Sequence, residues 1–144
     1  MKLLLFLFTL LVPQNSINNP SVTVTGPVML GKKIGANFNS TADQAIPIGS
    51  GKYIVRRVIV TNASTSLTTA VGGVYTATAK GGTVVVASAQ TYSFLTSATL
   101  SMDAVLTDAA TANTLTAASL YLSLTTAQGA AATADIMVMG DRLQ

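Results

Sequence analysis

The segment KYIVRRVIVTN, residues 52–62, indicates the fold class because it has the composition of a β-strand. Val and Ile dominate it, and β-branched residues are favoured on a pleated, half-buried surface. Strict alternation predicts one face with Tyr53, Val55, Arg57, Ile59 and Thr61, and a second face with Ile54, Arg56, Val58 and Val60. Since both faces are largely apolar, we expect a central strand whose arginines lie near a strand end or reach solvent along their aliphatic stems.

Further short strands with small-residue turns follow from this segment to the end of the chain. VYTATAKGGTVVVASA, residues 74–89, predicts a hairpin whose tight turn is Lys80-Gly81-Gly82. TLSMDAVL, residues 99–106, alternates as a strand with one buried face. SLYLSL, residues 119–124, and ADIMVMG, residues 134–140, predict an antiparallel pair joined by an Ala-rich loop. Residues 108–119 could form one or two turns of helix, which Thr and Asn weaken.

The order of these elements predicts an all-β protein, because no amphipathic helix of substantial length separates the strands. We expect an antiparallel β-sandwich, and about eight strands favour a jelly roll. The predicted domains are a hydrophobic N-terminal arm with a Pro- and Asn-rich linker, residues 1–27, and a β-sandwich, residues 28–144. The glycines of LGKKIGANF, residues 30–38, suggest a flexible approach to the sandwich.

The composition indicates a protein that works in an assembly. Of the 144 residues, 49% are hydrophobic and only 9% are charged, whereas about a quarter are charged in a typical soluble domain. A surface short of charge is poorly protected from self-association. Neighbouring subunits that cover such a surface would remove that liability.

Several classes of chemistry are disfavoured by residues that the chain lacks or scatters. It contains no cysteine and no histidine, so disulfides, thiolate chemistry and a Ser-His-Asp triad are excluded. The five acids, all aspartates, are dispersed as Asp43, Asp103, Asp108, Asp135 and Asp141. We therefore predict a non-enzymatic protein without catalytic residues, metal ligands or a cofactor. The net charge of +3 comes without a dense basic run, which argues against direct nucleic-acid binding.

The segment IPIGSGKY, residues 46–53, resembles a phosphate-binding loop only superficially. That loop requires Gly where Ile46 stands and Ser or Thr where Tyr53 stands. It also precedes a strand, whereas phosphate cradling uses the N-terminus of a helix. We interpret it as a turn before a strand.

The N-terminal stretch MKLLLFLFTLLVPQNS, residues 1–16, is open to three interpretations. The ten residues Leu3–Val12, apolar except for Thr9, span only about 15 Å as a helix, too short to cross a membrane. A cleaved signal peptide fits the single Lys and the apolar run, but Gln14 and Asn19 occupy positions where cleavage requires small residues. The third interpretation is a retained arm that is buried against a neighbouring subunit or under the domain. A linker with Pro13, Pro20 and Pro27 follows, with a short strand possible at residues 22–25.

Two groups of residues are candidates for partner binding. Apolar residues of the arm form the first group, and basic residues near the predicted sheet form the second. The candidates are Leu3, Leu5, Phe6, Phe8, Leu10, Leu11, Lys32, Lys33, Arg56 and Arg57. With Lys52, the basic residues would either form a patch against an acidic partner or a solvated rim.

Residues 53–90 and 119–143 resemble small structural proteins of tailed bacteriophages. The similar elements are the Val-Thr-Asn-Ala-Ser turn, the Gly-Gly-Val-Tyr stretch, the Lys-Gly-Gly hairpin and the Leu-Thr-Thr-Ala-Gln-Gly-Ala-Ala loop. They are turn and strand patterns rather than active-site motifs, and the apolar N-terminus lies outside them.

The resemblance implies a capsid decoration or cement protein on the exterior of the virion. Its partners would be the major capsid protein or other virion subunits, and it would form a homo-oligomer, with a trimer favoured. A head-fibre or tail-associated protein is also compatible with the resemblance. The alternative is a secreted surface or filament subunit from which residues 1–16 are removed. No membrane span is expected in either case.

Overall fold

The computed structural model describes residues 26–143. The predicted arm, with its candidate residues Leu3, Leu5, Phe6, Phe8, Leu10 and Leu11, lies outside the described residues. The possible strand at residues 22–25 lies outside them as well.

The regular secondary structure of the described residues is almost entirely β-strand, which confirms the prediction of an all-β sandwich. In chain order the strands and one short helix are β1 (Val28–Asn37), β2 (Gln44–Pro47), β3 (Lys52–Thr61), β4 (Val71–Tyr75), β5 (Val84–Val86), β6 (Ser101–Ala104), α1 (Asp108–Ala112), β7 (Ser119–Thr126) and β8 (Thr133–Leu143). Sheet A has the strand order β1-β8-β3-β6, and sheet B has the order β2-β7-β4-β5. All strand pairs are antiparallel.

The pairing of the strands is nested around the β4–β5 hairpin. β4 pairs with β5, β3 with β6, β2 with β7 and β1 with β8. Sheet A therefore takes strands from both ends of the described chain, and β3 is a central strand between β8 and β6. β7 and β8 belong to different sheets, so the predicted pairing between them is wrong. The Ala-rich loop crosses from one sheet to the other instead.

The core lies between the two sheets and consists of their inward-facing apolar side chains. Strand β7 contributes Leu120, Leu122 and Leu124, and strand β8 contributes Ile136 and Val138, all completely buried. These residues are spaced by two because alternate side chains of a strand point to the same face, here the face toward the core. Each such side chain stabilises the fold by roughly 1.5–3 kcal/mol relative to an exposed position.

A β-bulge in β3 overturns the strict alternation predicted for that strand. The register shifts between Val55 and Arg57, so that two residues separate the buried positions Val55 and Val58. Both Arg56 and Arg57 are exposed as a result, and Ile59 lies on the same outer side. A bulge inserts one unpaired residue and re-aims the side chains that follow. It allows two adjacent arginines on a central strand to reach solvent.

Strand β1 includes the glycine-containing segment that the sequence suggested to be a flexible approach, so that interpretation is wrong. Register shifts occur at Gly31 and Gly35. A Cβ atom at Gly31 would lie 2.0 Å from the carbonyl oxygen of Pro47 on the facing sheet, and Gly35 has a φ of 61°. Gly31 allows the two sheets to pack closely, and Gly35 adopts the positive φ of a bulge; a side chain is disfavoured at both positions.

The structure contains the predicted β4–β5 hairpin and a short helix in the segment where one or two turns were considered possible, and it refines the limits of both. β4 ends at Tyr75 and β5 begins at Val84. A tight turn lies between them at residues 78–81, where the Gly81 N–H donates to the Thr78 carbonyl oxygen, so its central residues are Ala79 and Lys80 rather than the predicted Lys80-Gly81-Gly82. Ala79, Lys80 and Gly82 have positive φ in this β4–β5 loop. Helix α1 has one turn, and its N-cap is Thr107, whose side chain accepts a hydrogen bond from the Ala110 N–H.

Candidate interaction surface

The outer face of sheet A combines apolar and charged side chains in rows that cross the strands. One row runs Lys32, Met137, Ile59, Asp103 across all four strands. A second row runs Met29, Met139, Arg57 across β1, β8 and β3. Directly opposite residues of paired strands lie on the same face and contact each other. These rows therefore form one continuous surface.

The centre of this surface is apolar, and we refer to it as the Met patch. It consists of Met29, Ile54, Ile59, Met137 and Met139. Met29, on the edge strand β1, is 51% exposed, and the other four are half-buried beside their neighbours in the sheet. Methionine is flexible and polarisable, and it is enriched at adaptable binding surfaces.

Two ion pairs lie beside the Met patch, and both involve candidate residues. Arg56 Nε lies 2.7 Å from Asp141 Oδ2 and connects β3 to β8. Arg57 contacts both carboxylate oxygens of Asp103 at 2.8–3.0 Å and connects β3 to β6. Both arginines are therefore charge-compensated by acids from neighbouring strands. They differ in exposure, since the Asp141 side chain is 14% exposed and that of Asp103 is 50% exposed.

The two candidate lysines lie on the edge strand β1. Lys32 is exposed and is opposite Met137 on the outer face. Lys33 is half-buried and is opposite Ile136, a position of inward register. The structure thus places Lys32, Arg56 and Arg57 around the Met patch, and Lys33 beside it. Their role in partner binding stays a prediction.

Asp135 fixes the geometry of the strand edges on the same face. Its Oδ1 accepts a hydrogen bond from the Gly35 N–H at 2.8 Å, and its Oδ2 accepts one from Asn62 Nδ2 at 3.1 Å. Gly35 is at a register shift of β1, and Asn62, just after β3, has a φ of 54°. This carboxylate therefore holds two irregular backbone positions in place.

The outer face of sheet B is different, because loops of the same domain cross it. Tyr75 and Ser123 lie on this face and are each only 3% exposed. The β4–β5 loop reaches over β7, where the Ala79 N–H donates to Asp43 Oδ2 at 2.6 Å. This hydrogen bond, together with one from the Ser123 side chain, lowers the pKa of Asp43 below its ordinary value.

A second loop covers another part of that face. The Ser88 carbonyl oxygen accepts a hydrogen bond from Thr125 Oγ1 at 3.1 Å, which connects the chain after β5 to β7. A Cβ atom at Gly73 would lie 2.3 Å from the Val86 carbonyl oxygen and 2.9 Å from the Tyr75 hydroxyl. Within residues 26–143, that hydroxyl is the buried side-chain polar atom without a hydrogen-bond partner. The tight covering of this face leaves no open surface at Gly73.

The loop between β2 and β3 confirms the interpretation of IPIGSGKY as a turn before a strand. The Ile48 and Gly49 N–H groups both donate to the Ala118 carbonyl oxygen. The carbonyl oxygens of Ile48 and Ser50 accept hydrogen bonds from the Arg142 guanidinium. The loop therefore presents acceptors to a cation of its own chain, whereas a phosphate site presents N–H donors. Next to it, burial raises the pKa of Tyr53 to about 12.

The concave features of the described surface are shallow. One depression of about 310 Å³ is lined by residues 87, 89–91 and 105–107, and a second of about 220 Å³ is lined mainly by threonines, including Thr76, Thr83 and Thr114. Residues 26–143 contain no cluster of three acidic side chains that could hold a metal ion. Over the same range, no helix has the length and apolarity needed to cross a membrane.

Sequence reasoning missed the Met patch, although the signal for it was present. The alternation of ADIMVMG assigns Met137 and Met139 to the face opposite Ile136 and Val138. This alternation does not identify the residues that lie next to the two methionines, because Met29 in β1 and Ile59 in β3 come from distant parts of the chain. Outward methionines on a strand with an apolar inner face are the pattern that points to such a surface.

Comparison of the chain with protein-family models, with curated proteins and with solved structures gives no match. The outer face of sheet A and the resemblance of the sequence elements described above are therefore the features that bear on function.

Proposed function

We propose that this protein is a non-enzymatic structural component of a virion, a decoration or cement protein that stabilises the outer face of a capsid shell. The observation that carries the proposal is the Met patch, an apolar surface on the outer face of sheet A with charge-compensated neighbours. A face of this kind gains stability when a partner covers it, because apolar area is removed from water. The low charge of the chain supports the same conclusion.

The strand order supports a more specific proposal for the fold. Eight strands in two four-stranded sheets, with nested pairing around the β4–β5 hairpin, correspond to the double-sheet arrangement of a jelly roll. Viral capsid domains are among the proteins that use this arrangement. We therefore assign the jelly roll as part of the proposal, together with homo-oligomerisation, for which a trimer is favoured.

Deletion of residues 2–12 tests the proposal, because the arm is proposed to anchor the sandwich. The deleted protein should keep its β-sheet circular dichroism and its melting transition but should no longer cosediment with virus particles from the source culture. The full-length chain is the matched control. Cosedimentation that is unchanged by the deletion would contradict the anchoring role of the arm, and absence of the full-length protein from purified particles would contradict the virion assignment.

A secreted surface or filament subunit is the second candidate, favoured by the single Lys followed by the apolar run Leu3–Val12. N-terminal peptide mass analysis of the native protein separates the two. A species that begins at Met1 or Lys2 in particles supports the virion protein, and one that begins near Ile17 in filaments supports the alternative.

A further inference from the structure

We infer that the Met patch of one copy is the binding site for the apolar segment Leu3–Val12 of a neighbouring copy. The inference deepens the proposed function and rests on it, since it requires that residues 3–12 are retained and that copies meet in an assembly. It identifies the partner of the surface as a named part of the same chain, exchanged between subunits.

The size of the face is too small for a second sheet and large enough for a single segment. Four strands at a spacing of about 4.8 Å place the outer strands roughly 15 Å apart, and the patch with its flanking acids extends about 20 Å along β8. One face-to-face contact of two patches would cover about 300 Å² per partner, well below the roughly 800 Å² per partner of a stable interface, whereas exchange in a ring gives every copy two contacts, one donated and one received. Ten residues in an extended conformation reach about 33 Å and would cover the patch along its whole length.

The charges of the face favour an uncharged occupant. Arg56 and Arg57 are compensated by Asp141 and Asp103, and Lys32 lies exposed on the edge strand β1, at the margin of the face. An acidic or basic partner would have to break these pairs or remain unpaired beside them. Leu3–Val12 contains no charged residue, and Thr9 is its one polar side chain.

The side chains also suit each other. Met29, Met137 and Met139 can adjust their shape to Leu and Phe side chains, and a thioether sulfur makes favourable contacts with an aromatic ring. The segment supplies Phe6 and Phe8. The flanking ion pairs would then lie at the rim, where water remains available to them.

The length of the connection favours exchange between copies. Residues 13–27 separate the segment from β1, which begins at Val28 beside the patch. Fifteen residues reach about 50 Å when fully extended, and a domain of this size is about 35 Å across. The connection is therefore long enough to reach across a neighbouring domain, whereas the patch of the same copy begins one residue after Val28. Donation from each copy to the next closes a ring, which agrees with the predicted trimer.

Cysteine pairing tests the inference directly, because the chain contains no cysteine. One tagged variant, Phe8→Cys, is mixed with a differently tagged variant, Met139→Cys, and oxidised mildly. We expect a disulfide that joins the two tags. Val105→Cys is the matched control, since Val105 is 73% exposed and lies outside the Met patch; it should pair with Phe8→Cys at least tenfold less.

Each other result of the mixing experiment would overturn the inference. Preferential pairing of Met139→Cys with itself would indicate a face-to-face contact of two patches. A chain that carries both cysteines and closes only within itself would indicate that the segment covers its own patch. Equal pairing of Val105→Cys and Met139→Cys would indicate non-specific collision.

A second measurement uses the equilibrium between copies. The double variant Met137→Thr/Met139→Thr keeps residues suited to strands but removes the apolar surface, and its dissociation constant for self-association should rise at least tenfold in sedimentation velocity. Val105→Thr should leave that constant unchanged. A similar constant for wild type and double variant, with both folded by circular dichroism, would overturn the inference.

Failure of the inference and failure of the proposed function have different signatures. A protein that is recovered from virus particles without residues 3–12 would overturn the inference and leave the virion assignment standing. Exchange between copies in a protein that is absent from virus particles would sustain the inference and overturn the virion assignment.

Discussion

The outer faces of the two sheets show opposite solutions to the same problem. Both sheets bury one face in the common core, so each has a second face to protect. On sheet B the domain does this itself, because two loops cross the face and leave Tyr75 and Ser123 almost completely buried. On sheet A, within residues 26–143, the hydrogen bonds and ion pairs of the outer side chains connect only the strands and their ends.

This difference separates surface that serves folding from surface available for association. The closed face has small residues at its points of closest contact, such as Gly73. The open face has large apolar side chains, Met29 among them, which are costly to leave in water unless a partner covers them. We conclude that sheet B supports the domain and that sheet A presents it to its neighbours.

The largest expected effect comes from a single methyl group on the closed face. Gly73→Ala should lower the free energy of unfolding by about 2–3 kcal/mol, because its Cβ would overlap the Val86 carbonyl oxygen and force the covering chain to move. Met139→Ala, on the open face, should cost under about 1 kcal/mol. Urea unfolding of both variants measures the difference. Equal costs would mean that the outer face of sheet A is as tightly packed as that of sheet B.

The sequence was sufficient to predict the parts of the fold that depend on local pattern. Leu120, Leu122 and Leu124 alternate with polar residues over a full strand, and the structure buries all three. The central position of β3 also follows from its composition and length. In each case the signal lies within about ten neighbouring residues.

Features that depend on inserted residues or distant partners could not be predicted in the same way. The bulge at Arg56 and Arg57 adds one residue to the alternation, which changes the face of every position on one side of it. The assignment of β7 and β8 to different sheets depends on β2 and β1, which occur much earlier in the chain. The Met patch escaped prediction for the same reason.

The two ion pairs of the open face should differ in their contribution to stability. Arg56→Met leaves the carboxylate of Asp141, which is 14% exposed, without its cation and should cost about 1 kcal/mol. Arg57→Met should cost at most about 0.5 kcal/mol, because Asp103 is 50% exposed and remains well hydrated. Thermal unfolding at low and high salt provides the measurement. A larger cost for Arg57→Met would show that its bidentate geometry outweighs exposure.

Asp43, which binds the β4–β5 loop over sheet B, should make the free energy of unfolding depend on pH. The folded pKa of Asp43 is lower than the ordinary value of 3.8, so its contribution is fully present above that value and is lost as the pH falls through the folded pKa. Asp43→Asn should therefore be less stable than wild type at pH 6, by under about 1 kcal/mol because the group is exposed. The difference should close toward pH 2 in urea unfolding. A gap that does not change with pH would exclude the carboxylate charge as its cause.

The smallest effect concerns the same β4–β5 loop. Ala79 has a φ of 55°, a left-handed conformation that costs a residue with a Cβ roughly 1 kcal/mol and costs glycine little. Ala79→Gly should therefore raise the free energy of unfolding by about 0.5 kcal/mol, after the greater chain entropy of glycine in the unfolded state is subtracted. Ala77 lies in the same loop but has no positive φ. Ala77→Gly therefore only increases the chain entropy of the unfolded state and should lower the free energy of unfolding by a similar amount. Differential scanning calorimetry measures the change in stability for both variants. Changes of opposite sign would show that the backbone geometry of the loop, rather than its general flexibility, holds it over sheet B. Changes of the same sign would contradict this.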